Sequence, residues 1–152
     1  MIKIKDLLKE VIDIYSPGEL NSKGIDYDIE TESAKRFEVK LKYKDAYYRL
    51  QITPLFTSIP VVSFGNTDEN YDNPNFGGEL INSPYSSRIL AAIFGLIRYW
   101  VDKYNIQQFE YGVEGKVRTT LYDYYFTKHF PDFKSTQEID GSLLVYTWKK
   151  IQ

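Results

Sequence analysis

The side chains that could do chemistry in this chain are few in kind. It holds no cysteine and one histidine, His129, in 152 residues. Without cysteine there is no disulfide framework, thiolate zinc site, iron–sulfur cluster or thiol nucleophile. A Ser-His-Asp triad or a histidine-based zinc site would rest on that single imidazole, and zinc needs three or four ligands. His129 follows Lys128 at the end of a predicted helix, where the dipole favours a cation, and that position accounts for it. Among the carboxylates, Asp68, Glu69 and Asp72 share one polar stretch. Asp68-x-Asn70-x-Asp72 matches the opening of a calcium loop, but the following glycine and the distant glutamate are not at the required spacing. A solvated acidic loop is the reading, and no metal is expected. Ser86, Ser87 and Arg88 open a long predicted helix, where backbone N–H groups and an arginine could hold an anion. What remains is tyrosine: 14 of them, beside 9 Phe and 2 Trp, an aromatic share of 16%.

Charge and hydropathy narrow the classes further. Nineteen basic against 21 acidic residues leave a net charge of −2, so no global field draws the chain to nucleic acid or an anionic membrane. The N-terminal Met1-Ile2-Lys3-Ile4-Lys5-Asp6 alternates charge with apolar residues and is no signal peptide. The longest apolar run, Ile89 to Ile97, is about half a membrane span and ends at Arg98. The expectation is one soluble domain over residues 1–152, used inside a cell, with a core that needs no covalent or metal staple.

The elements that must position these residues follow from periodicity. Ile4, Leu7, Leu8, Val11, Ile12 and Tyr15 recur at three and four, predicting an amphipathic helix over 2–15 that Ser16-Pro17-Gly18 ends. Short alternation at 25–29 predicts a strand, and the unbroken alternation of Phe37 to Tyr43 a second. Lys44-Asp45-Ala46 turns into a third over 47–52, which Pro54 limits to its first half or to a sheet edge. A buried strand over 59–64 precedes a long structureless segment, Gly65 to Pro84. Asn82-Ser83-Pro84 or Ser86-Ser87 caps a helix over 85–104 with a broad apolar stripe. A strand over 106–111, a turn at 112–115, a helix over 116–130 and two strands joined at Asp140-Gly141-Ser142 complete the chain. A strand-helix-strand continuation of an antiparallel sheet makes it mixed, with helices on both faces. The fold class is therefore α+β: a mostly antiparallel mixed sheet of six to seven strands flanked by three helices.

This order resembles that of the GNAT superfamily of N-acyltransferases. Ile106-Gln107-Gln108-Phe109-Glu110-Tyr111, followed by Arg118-Thr119-Thr120-Leu121-Tyr122-Asp123, is similar to that family's fifth strand and fourth helix. More narrowly, Asn82 to His129 resembles uncharacterised GNAT-like proteins of tailed phages, which carry an Arg-x-x-Leu-Tyr helix. The resemblance implies a GNAT-like fold, and it places Tyr122 where the family keeps the tyrosine that protonates the departing thiolate of coenzyme A. A leucine-tyrosine pair on an amphipathic helix is also an ordinary core feature. The family's pyrophosphate loop fits poorly: Phe76-Gly77-Gly78-Glu79 sets its glycines early and adds a repelling carboxylate, while Pro84 removes a donor. Ser86, Ser87 and Arg88 are what could still bind a cofactor there. Arg118 reads as structural, pairing with a carboxylate such as Asp123 or with a chain end.

Two functions follow from the resemblance. The first is a non-catalytic phage or prophage protein that works through protein–protein contact or self-association, in the host cytoplasm or within a virion, with no cofactor. Tyr71, Phe76 and Tyr85 lie in or beside the long segment, and tyrosine is enriched at interfaces, so these three are candidate partner contacts. An AT-rich coding bias would equally supply the tyrosines. The alternative is an N-acyltransferase using acetyl-CoA or another acyl-CoA, with Tyr122 as general acid and a loop carboxylate as base.

Overall fold

The computed structural model describes residues 13–55, 57–75, 86–113, 116–141 and 143–152, with backbone alone at 86, 113, 116–121, 140 and 143. The chain enters through two 3₁₀ turns, Pro17–Glu19 and Asn21–Lys23, and then forms β1 (Ile25–Glu32), β2 (Phe37–Tyr43), β3 (Ala46–Pro54) and β4 (Pro60–Thr67). Helix α1 (Ser86–Lys103), β5 (Gln108–Val113), α2 (Lys116–His129), β6 (Phe133–Asp140) and β7 (Leu143–Lys150) follow. The predicted first helix lies outside the described residues except for 13–15, which are not helical. Ser16 instead opens the first 3₁₀ turn: its N–H donates to Glu19 Oε1 at 2.9 Å, the reciprocal cap that serine with glutamate three residues on provides.

All seven strands form one sheet in the order β1-β2-β3-β4-β5-β7-β6. Only β4 and β5 run parallel; the other neighbours are antiparallel. Tyr43 pairs with Ala46 across Lys44-Asp45, and Lys44 takes a φ of +56°, as a two-residue hairpin requires. The closing hairpin is as tight, with Asp140 opposite Leu143 and Gly141 at φ +64°. Pro54 does not confine β3 to an edge. That strand lies between β2 and β4 and ends on Pro54, opposite Pro60, where no ladder donor is needed.

The alternation of β2 assigns its faces: Phe37, Val39, Leu41 and Tyr43 are buried and Glu38, Lys40 and Lys42 are partly exposed. The buried face continues through Tyr48, Leu50, Ile52, Val62, Phe64, Phe109, Tyr111, Tyr146 and Trp148. Both described helices cover this same face; the third predicted helix, on which helices on both faces would depend, lies outside the described residues but for 13–15. Phe94 of α1 stacks on Tyr125 of α2 at 4.8 Å and meets Phe64 of β4, and Phe126 of α2 meets Phe109 and Tyr111 of β5. The connections β4→β5 and β5→β6 step the same way across the sheet, and right-handed crossovers then place both helices on one side. The opposite face carries a charge ladder in which Glu30 accepts from Lys40 (3.2 Å) and Arg49 (3.0 Å).

The long structureless segment is shorter than predicted. Residues 65–67 belong to β4, and 68–75 form a compact turn around Asp68, whose Oδ1 accepts from the N–H groups of Asn70 and Asp72 at 2.9 Å each. Asx geometry of this kind substitutes side-chain for backbone partners. Residues 76–85 lie outside the described set.

Candidate functional site

The parallel pair is where the sheet opens. Val61 pairs with Glu110 and Val62 with Tyr111, after which β4 runs on to Thr67 and β5 to Val113 with no further registered pair. In open sheets, ligands enter beyond the carboxyl ends of strands where neighbouring connections part. Helix α2 starts directly beyond β5.

Tyr122 stands six residues, about 9 Å, into α2. Its ring lies 5.1 Å from Phe64, which is just past the last β4–β5 pair, and 6.4 Å from Phe94. It is buried, with 8% of its surface exposed. The next residue, Asp123, is half-buried and, among the described residues, has no ion-pair partner. Burial pushes its carboxyl above the usual aspartate range. Tyr111 of β5 and Tyr146 of β7 are cross-strand partners with rings stacked at 4.8 Å and 4°. Burial, then the neighbouring phenol and the Asp123 charge, raise the Tyr111 hydroxyl well beyond its ordinary value; burial, then Asp123, also raise Tyr146. These phenols stay protonated at any neutral pH. Tyr122 is thus enclosed beside the opening by Phe64 and Phe94, next to a carboxyl, Asp123, whose proton affinity burial raises.

The sequence candidates meet this opening unevenly. Ser86 begins α1, Ser87 is half-buried and Arg88 is exposed. The Arg88 charge acts on the Tyr15 phenol, so it lies near the N-terminal segment. Arg118 lies in the first turns of α2, and its side chain is outside the description. Tyr71 is held within the molecule: its ring meets Tyr47 edge-on at 5.3 Å and Lys40 Nζ sits 5.2 Å from its centre. Phe76 and Tyr85 are outside the described residues. Of the tyrosine pairs, Tyr48 and Tyr125 face the core while Tyr47 and Tyr124 face outward. His129 is not a dipole-held cation. Its Nε2 is buried without a partner, and burial, then Lys128, lower its pKa, which disfavours the imidazolium. Among the described residues no three histidine or acidic side chains converge as a metal site, and no helix is long and apolar enough to cross a membrane.

Two polar clusters at the far end of α1 escaped the sequence reading. Glu32 accepts from Tyr99 (2.9 Å), Tyr104 (2.8 Å) and Lys103, which hold its carboxyl below the usual range. Arg98 forks onto Asp132 at 2.7 and 2.9 Å, pairs with Asp102 and lies over Phe130. The i,i+4 spacings of Arg98 with Asp102 and Tyr99 with Lys103 were the available signal. Between α1 and residues 14–19 lies a cavity of about 550 Å³; of its charged lining residues Arg98, Asp102 and Lys103 are ion-paired, and Glu19 accepts from Ser16. A scan of family models finds none that matches the chain, and a search of curated proteins finds no relative.

Proposed function

We propose that the chain is a non-catalytic GNAT-like domain of the tailed-phage kind, acting by contact with protein as a virion or assembly component or as an inhibitor of a host protein. The observation that carries this reading is the enclosure of Tyr122. A residue that hands a proton to a leaving sulfur must meet it across an open site, whereas this ring is fixed between Phe64 and Phe94 as part of the aromatic core. The strand order, with one parallel pair and both following helices on one face, supports the likeness to the GNAT superfamily. The glycines at 77 and 78 precede Glu79, a poor setting for a pyrophosphate.

The divergence of β4 from β5 favours a second reading, an N-acyltransferase whose acyl-CoA enters that opening. Thermal unfolding of the full chain with millimolar acetyl-CoA separates the two. The non-catalytic reading expects an unchanged melting temperature. A saturable rise overturns it, since a ligand at 100 times its dissociation constant adds about 2.7 kcal/mol. In that event Tyr122→Phe should abolish turnover while leaving the rise intact.

A further inference from the structure

The two edges of the sheet differ. Edge strand β1 carries Asp26, Asp28, Glu30 and Glu32, has no basic residue, and its register is broken by a bulge between Ile29 and Thr31. Like charges and a bulge are how edges refuse a second strand. Edge strand β6 has neither safeguard. Its pairing with β7 is continuous from Phe133 opposite Lys150 to Asp140 opposite Leu143, and its outer backbone groups face away from the sheet. It also bears Ile139, 81% exposed, the most exposed large hydrophobic side chain among the described residues. Lys134 lies opposite Lys149 of β7, a like-charge neighbour on the same face, and among the described residues neither Lys134 nor Glu138 has an ion-pair partner.

We propose that β6 pairs antiparallel with β6 of a second copy about a two-fold axis at Thr136, joining two sheets into one. Such an axis keeps each residue on its own face, so a pair must join residues of equal parity; centres at Thr136 or Gln137 use seven of the eight strand residues and those at Ser135 or Glu138 five, the last setting Glu138 opposite its own copy. A centre at Thr136 sets Lys134 opposite Glu138 of the second copy and Phe133 opposite its Ile139, each twice by symmetry. A centre at Ser135 sets Lys134 opposite threonine, and one at Gln137 sets Ile139 opposite serine. The Thr136 register alone gives both the charge and the apolar pair, relieves Lys134 of its like-charged neighbour and covers Ile139. The inference goes beyond the proposed function and stands whether or not the β4–β5 opening takes a cofactor.

Light scattering on the full chain without any cofactor tests it. The expected mass is twice 17.8 kDa. Glu138→Lys and Lys134→Glu alone should each weaken association about tenfold or more, because each sets like charges together twice. The double exchange should restore the parent dimer, and mixing the two single variants should give a heterodimer tighter than either homodimer. All four side chains changed or created are at exposed positions, and matched melting curves confirm the fold. A parent that stays at 17.8 kDa at every concentration, or a dimer indifferent to the charge variants, overturns the proposal.

Discussion

Two single residues, His129 and Asp123, are governed more by desolvation than by partners. His129 ends α2, where the dipole would raise its pKa by favouring the imidazolium. Its buried Nε2 has no acceptor, and burial together with Lys128 wins, lowering the pKa. Since the unfolded chain then binds the proton more readily than the folded one, stability is full above about pH 6.5 and falls on acidification below it. The expected result is an imidazole NMR titration midpoint below the free value, with a melting temperature that drops between about pH 7 and pH 5 and does so less in His129→Gln. Asp123 has the opposite shift. Its folded carboxyl is raised by burial, so ionisation penalises the folded state above the unfolded pKa and not below it. Asp123→Asn should therefore gain up to about 1 kcal/mol near neutral pH, and the gain should vanish in acid. A constant difference across the pH range would contradict this.

At the scale of elements, α1 is fixed by a close approach that no helix propensity reveals. A Cβ on Gly95 would lie 1.8 Å from the Tyr15 carbonyl oxygen, and the Tyr15 N–H donates to the Ala91 carbonyl at 3.1 Å. Alanine improves a helix interior by about 1 kcal/mol, yet Gly95→Ala should lower stability by about 1 kcal/mol or more, because the N-terminal segment must leave the helix. A more stable variant in a denaturant melt would refute the packing. Where hydrophobic period settles the matter, as in Phe37 to Tyr43 or along the stripe of Ile89, Ile93, Leu96 and Trp100, the elements were legible in the sequence. The extent of β3 was not, because Pro54 sits at a ladder end that propensity cannot see. The turn at 68–75 was hidden for a similar reason: Asp68 organises it by side-chain hydrogen bonds. The clamp of Glu32 by Tyr99, Lys103 and Tyr104 joins residues about 70 positions apart, beyond any local pattern. At the opening, Tyr122 was found through the resemblance, while the stack of Tyr111 on Tyr146 needed the β5–β7 register.

Among the described residues the molecule is a sheet with one face packed under two helices and the other bearing salt-bridged side chains, divided by a parallel pair that parts after two positions. The aromatic surplus lies mostly in that packed layer, where Phe64, Phe94, Tyr111, Tyr122, Tyr125, Phe126 and Tyr146 touch in sequence across the strands. Each such pair adds about 0.5–1.5 kcal/mol beyond area burial. Four tyrosines of that layer, Tyr111, Tyr122, Tyr125 and Tyr146, fill the core beside the opening, and the central claim is that Tyr122 belongs to that core and to no catalytic step. The most direct measurement is the NMR signal of Tyr122 in tyrosine-labelled protein, assigned by its loss in Tyr122→Phe, followed as acetyl-CoA is added to millimolar concentration. The account expects the Tyr122 resonance to stay in place; a saturable shift of that resonance would contradict it.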